Sequence, residues 1–187
     1  MKRNATLCIG KTQECPRVEV NGSVMTKVKH EQYLGQYVSA NGCNDKNITE
    51  RCNKGIGMQC QVFAMLSEIS LGSYFFHIGL LLRDTNLINA VLFGAEAWYG
   101  ITKKQMEEID KIDIMFMKKL FNAKNNVAKE IYYLESGKLP AKFIIISRRL
   151  NFLRHIINSD KNGLLFKFYS IQKDCPCLLY TSPSPRD

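Results

Sequence analysis

The hydrophobic period of the chain changes once, at SANGCND, residues 39–45. Before it, TLCIG, RVEV, VMTKV and QYLGQYVS alternate with the two-residue period of extended strands, whose successive side chains point to opposite faces. After it, apolar residues recur every three or four positions, the spacing of a helix that buries one stripe. The expected fold is therefore α+β, mainly α: short antiparallel β-hairpins followed by a helical bundle. Asn21-Gly22 in VEVNGSV is the signature of a tight type I′ hairpin, since both residues tolerate positive φ. Asn41-Gly42 supplies the turn where the architecture changes.

A first helix is predicted over about 46–69, with Ile48, Cys52, Ile56, Gln59, Phe63 and Leu66 on one face and Gly55 and Gly57 weakening it. GSYFFHIGLLL fits more than one secondary structure, and TNLINAVLFGAEAWYG reads as a buried helix. Thr102 caps the next helix and Gln105 completes a capping box, with Met106, Ile109, Ile112, Phe116 and Leu120 as its apolar stripe. A shorter helix around 126–136 ends at Gly137. Pro140 then opens another, on which Phe143, Ile146, Leu150, Leu153 and Ile157 share a face.

At 187 residues and 45% hydrophobic content the chain can bury a core. Its longest apolar run, SYFFHIGLLLRD, is interrupted by His77 and stopped by Arg83 and Asp84, short of the roughly 18 residues of a membrane span. The start lacks the apolar stretch of a signal peptide, so an intracellular setting, cytoplasmic or nuclear, is expected and the N-x-[ST] triplets at Asn4, Asn21 and Asn47 carry no weight. Cys8, Cys15, Cys43, Cys52 and Cys60 have no CxxC spacing and read as buried or free thiols. Net charge is +9, and residues 103–167 carry most of it, with 14 Lys/Arg against 7 Asp/Glu. Such an excess suits phosphate backbones, although a solvated basic surface gives the same count.

No catalytic constellation assembles. Gly10-Lys11-Thr12 matches the end of a phosphate-binding loop, but Ala5 stands where a glycine is needed and Pro16 blocks the following helix. Asp110 and Asp113 read as a solvated acidic face rather than a metal pair. His30, His77 and His155 have no partner at metal-ligand spacing. Neither a catalytic residue nor a metal ligand is assigned.

Three phrases stand out: EQYLGQYVSANG at 31–42, LFGAEAWYGITKKQMEEIDKI at 92–112 and YYLESGKLPAKFIIISRRLNFLRHI at 132–156. Together, and in this order, they resemble the region after the catalytic motifs in reverse transcriptases of non-LTR (LINE-type) retrotransposons. The resemblance covers residues 1–170 and implies an RNA-directed DNA polymerase whose partners are an RNA template and a DNA primer. It implies four segments: 1–43, the end of the palm with the primer-grip hairpin; 44–123, a helical thumb-like region; 124–174, a basic helical segment; and 175–187, a disordered tail. Tyr33, Leu34 and Gly35 match the primer grip, and Gly94, Ala95, Glu96 and Trp98 match a thumb phrase in which Trp98 anchors the core. Lys118, Lys119, Lys142, Arg148, Arg149 and Arg154 fall where the family faces template-primer. The family's two Mg²⁺ ions need clustered aspartates, whereas this sequence has no Asp-Asp pair and its first aspartate, Asp45, follows the hairpin. The chain is thus expected to hold no cofactor, to lack polymerase activity alone, and to contribute at most template-primer binding. No small-molecule site is evident.

Two other readings fit the same residues: a basic helical module that docks a partner protein with its apolar faces, and a remnant without function. A docking bundle has no need of QYLG beside a sheet edge, which favours the first reading. The tail CLLYTSPSPRD, in one choice of codons, resembles the adapter of transposase-based sequencing libraries, so both ends are expected to be accidents of sampling.

Overall fold

A computed structural model describes residues 5–7, 18–20, 22–68, 72–98, 100–123 and 127–173. The extended half yields six short strands: β1 (Ala5–Thr6), β2 (Glu19–Val20), β3 (Ser23–Val24), β4 (Thr26–Lys27), β5 (His30–Tyr33) and β6 (Gln36–Ser39). β2 and β3 pair antiparallel around Gly22 at φ 74°, the hairpin that NG foretells. β5 and β6 form a second antiparallel hairpin in which Tyr33 faces Gln36 and His30 faces Ser39. β1 departs from expectation, since it pairs with β4 in parallel, Ala5 opposite Thr26. A two-residue period specifies a strand and not its pairing direction, which the connection decides.

The helical half comprises α1 (Asp45–Glu68), α2 (Phe75–Leu82), α3 (Ile88–Val91), α4 (Lys103–Leu120), α5 (Lys129–Ser136), α6 (Ala141–Ile157) and α7 (Leu164–Lys173). A π-helical turn, Arg83–Leu87, joins α2 to α3, so the apolar run GSYFFHIGLLL continues as helix into TNLINAV. That second run stops being helical after Leu92, because Gly94 takes φ 71° and a 3₁₀ turn, Ala95–Ala97, follows. α4 begins with the expected capping box: Gln105 N donates to Thr102 Oγ1 at 3.2 Å and Thr102 N to Gln105 Oε1 at 2.9 Å.

One apolar cluster runs from Ile48 through Val62, Leu87, Val91, Trp98, Phe116 and Tyr132 to Ile145, so α5 and the start of α6 share a core with α1–α4. Aromatic pairs stitch it: Phe63 on Phe116 at 5.0 Å between centroids, Phe76 on Phe121 at 4.7 Å, and Phe121 on Tyr132 at 5.5 Å. The buried face of α1 is rotated from the expected one. It consists of Asn47, Ile48, Arg51, Gly55, Gln59, Val62 and Leu66, while Ile56 is exposed. Gly55 explains the rotation, since a Cβ there would lie 2.5 Å from Val91 Cγ2 and 3.0 Å from Ile112 Cγ2. The missing side chain is what lets α1 approach α3 and α4 closely, a gain that offsets the lower helix propensity of glycine.

The apolar stripe of α6 also faces the other way. Ala141 and Ile145 are buried, whereas Phe143, Ile146, Leu150, Leu153 and Ile157 are all exposed. Among the described residues no helix is long and apolar enough to cross a membrane. Expectations about Gly10-Lys11-Thr12, the Asn4 and Asn21 triplets, Cys8, Cys15 and the 175–187 tail fall outside the described residues.

Candidate nucleic-acid interface

The β5–β6 hairpin closes through Leu34-Gly35, with φ 47° and 82°, the two positive values of a type I′ turn. Glycine adopts this region without cost; leucine adopts it against steric resistance of about 1–2 kcal/mol. The tip carries apolar side chains into solvent, Tyr33 at 68% and Leu34 at 78% exposure. Tyr33 is therefore outside the core. β5 is exposed along its whole length, and β6 lies inward with Ser39 buried.

The inner end of the hairpin is held by polar side chains that bridge distant parts of the chain. Gln36 Nε2 donates to Phe93 O at 2.5 Å, and its Oε1 accepts from Asn47 Nδ2 at 2.7 Å and from Trp98 Nε1 at 3.3 Å. Asn47 Oδ1 in turn accepts from Tyr37 N at 3.1 Å. Arg51 donates to Gly35 O and lies with its guanidinium 4.5 Å from the Phe93 ring centroid. Burial holds the Arg51 guanidinium below its ordinary range. Gly94 is required here, because a Cβ would fall 1.8 Å from Gln36 Nε2. From the other side Arg148 donates to Leu92 O at 2.9 Å and to Asn89 Oδ1 at 2.7 Å. The three phrases that resemble one family therefore meet at residues 89–98.

The other expected contact residues divide by place. Lys118 and Lys119 stand at the C-terminal end of α4, where cations complement the helix dipole. Lys119 Nζ lies 4.4 Å from the Phe63 ring centroid. Lys142 opens α6 with its Nζ 5.1 Å from the Phe143 ring centroid. Arg149 and Arg154 follow along α6, half-buried and exposed respectively, and Arg148 is engaged as described.

Asp110 and Asp113 correct the expectation of a solvated acidic face. Asp113 is 2% exposed and receives Arg83 Nε at 2.7 Å and Nη2 at 2.6 Å, Tyr133 Oη at 3.0 Å and Ala141 N at 3.2 Å. Asp110, half-buried, accepts from Lys142 N at 3.0 Å. The two carboxylates, one turn apart on α4, thus cap α6 from outside, because Pro140 provides no side-chain cap. Burial raises the Asp110 carboxyl despite that amide. Burial would lower the Arg83 guanidinium, but the hydrogen bonds and charge of Asp113 and the charge of Asp84 reverse the sign and raise it. Tyr133 is driven up by burial and by Asp113.

These bonds also bear on whether the Mg²⁺ ions of the family that the three phrases resemble would fit. The described residues form no group of three or more His, Cys, Asp or Glu side chains able to hold a metal ion. Asp113 is committed to Arg83, and Asp84 to Arg83 and Lys138 at 2.8 and 2.5 Å, so the donor set does not fit.

The residues missed by the sequence reading are Gln36, Asn47, Arg51 and the Arg83–Asp113–Tyr133 group. A signal existed for two of them: Asn47, Arg51, Gly55 and Gln59 are spaced by four, a continuous helical stripe once polar residues are admitted to it. Comparison with family models, curated proteins and solved structures returns no match for this chain.

Proposed function

We propose that this chain is the primer-grip and thumb portion of an RNA-directed DNA polymerase of the non-LTR retrotransposon class, acting inside the cell by holding an RNA template and a DNA primer. The observation that carries the reading is the junction at residues 89–98, where Gln36 of the first family-like phrase and Arg148 of the third both bond to the second, and Gly94 leaves room for Gln36. A hairpin anchored at its base and apolar at its tip suits contact with a nucleic-acid end. Tyr33 offers a ring for stacking, and Gly35 lets backbone approach a sugar-phosphate chain. Arg149 and Arg154 on α6, with Lys118 and Lys119 on α4, add attraction for phosphate.

Fluorescence anisotropy with a labelled RNA template annealed to a DNA primer tests this. Binding through about three phosphates should weaken roughly 40-fold between 50 and 200 mM salt. Leu34→Asp should cost about tenfold more at every salt concentration, and the chain should extend no primer when given nucleotides and Mg²⁺. A flat salt response, or an L34D variant that binds as well as the parent, would overturn the proposal.

A further inference from the structure

The stripe of α6 left in solvent has a stricter spacing than a core-facing helix needs. Phe143, Ile146, Leu150, Leu153 and Ile157 follow steps of three, four, three and four, the a/d repeat of a coiled-coil seam. In that register Lys142 and Arg149 occupy g positions and Arg154 an e position, so basic side chains border the seam on both sides. At its N-terminal end the seam runs into a cavity of about 570 Å³ between α4, α5 and α6, which Phe143 also lines. Leu134 and Leu139, 80% and 60% exposed, line it with Tyr133, and its charged lining is mixed, Lys129 and Lys138 beside Asp110 and Glu130, so the charge preference comes from the seam. The volume falls within the range of about 300–1,000 Å³ typical of sites that take apolar groups.

We propose that this groove docks an amphipathic helix of a partner protein, one with apolar residues at a/d spacing and glutamate or aspartate at the flanking e and g positions. Helix-in-groove recognition reads anchors at such intervals, and the exposed seam spans roughly 20 Å, two heptads of a partner helix. Charge selects the occupant. Arg149 and Arg154 take part in none of the ion pairs of the described residues. A second copy of this chain would set Lys142, Arg149 and Arg154 against their like, which opposes self-association, whereas an acidic helix completes the e/g pairs. The cavity takes the first anchor of the partner, and the seam takes the following ones. Arg149 and Arg154 also serve the phosphate contacts proposed above, so an acidic helix and a template-primer compete for them, whereas Leu34 belongs to template-primer binding alone.

The test uses the full chain and three labelled peptides of two and a half heptads: leucine at a/d with glutamate at e/g, the same seam with lysine at e/g, and a scramble of the glutamate peptide. The glutamate peptide should bind saturably and at least about tenfold more tightly than the other two. Leu150→Ser with Ile146→Ser, both at exposed positions, should remove that binding while the circular-dichroism melt stays unchanged. Arg149→Glu with Arg154→Glu should reverse the preference toward the lysine peptide, and L34D should leave it as it was. Equal binding of the scramble, absence of saturable binding by the glutamate peptide, or a dimer in sedimentation velocity that the two serines dissolve would each overturn the proposal.

Discussion

Polar side chains withdrawn from water fix this molecule where α2, α4 and α6 meet. Arg83, 1% exposed, holds Asp113, and Asp113 in turn holds Tyr133 and the first amide of α6. Taking away one charge leaves the other buried without compensation, so Arg83→Met should cost about 3–5 kcal/mol. Its thermal midpoint should fall by about 10 °C. Adding Asp113→Asn, which keeps an acceptor for Tyr133 and Ala141 but removes the charge, should recover more than half of the loss; no recovery would mean that packing and not charge is at stake. Cys52 gives a second residue-scale check. Its thiol is pushed up to about 11, from an ordinary 9.0, by burial and by Glu108. A raised value means less thiolate at any pH below it, so iodoacetamide at pH 8 should label the half-buried Cys52 more slowly than the exposed Cys43 and Cys60, read peptide by peptide in a mass spectrometer. None of this was legible in the sequence, because Arg83 and Asp113 lie 30 positions apart and nothing local distinguishes a buried aspartate from a solvated one.

Elements were more legible than the contacts between them. The capping box at Thr102, the αL glycine at Gly137 and the hairpin at Gly22 are local chemistry, and each stands where its residues foretold. The direction of an apolar stripe is not local. α6 carries apolar residues on two sides, and the choice of the Ala141–Ile145 side follows from the Asp110 and Asp113 acceptors that fix its start. α1 likewise turned toward Gly55, which a propensity scale counts as a defect and packing uses as a slot. The coupling between hairpin and bundle depends on a second such slot. Gly94→Ala puts a methyl group into Gln36 and asks alanine to hold φ 71°, a strain of about 1–2 kcal/mol before the clash is added. The variant should keep its helical circular dichroism yet lose the hairpin's position, seen as faster amide exchange at Tyr37, which Asn47 now holds. Unchanged exchange at Tyr37 would show that Gln36 is not the tie between them.

At the scale of the whole molecule, charge and topology point to one arrangement. The extended segment ends in an anchored hairpin with a bare apolar tip, and the basic excess lies in the helices that follow. Fold class was legible because one change of hydrophobic period divides the chain, and the three family-like phrases were legible as words. That they would touch was not, since Gln36 reaches Phe93 across 57 positions and Arg148 reaches Leu92 across 56. The proposed function requires the hairpin tip to face the growing end of a primer. Site-specific photocrosslinking addresses this most directly: a benzophenone amino acid at position 34, and in a control at exposed position 57 on α1, is irradiated with an RNA template and a DNA primer labelled at its 3′ end. Crosslinks from position 34 that map to the last few primer nucleotides, with none from position 57, are the predicted result. Equal crosslinking from both positions, or none from position 34 under conditions where the duplex is bound, would contradict it.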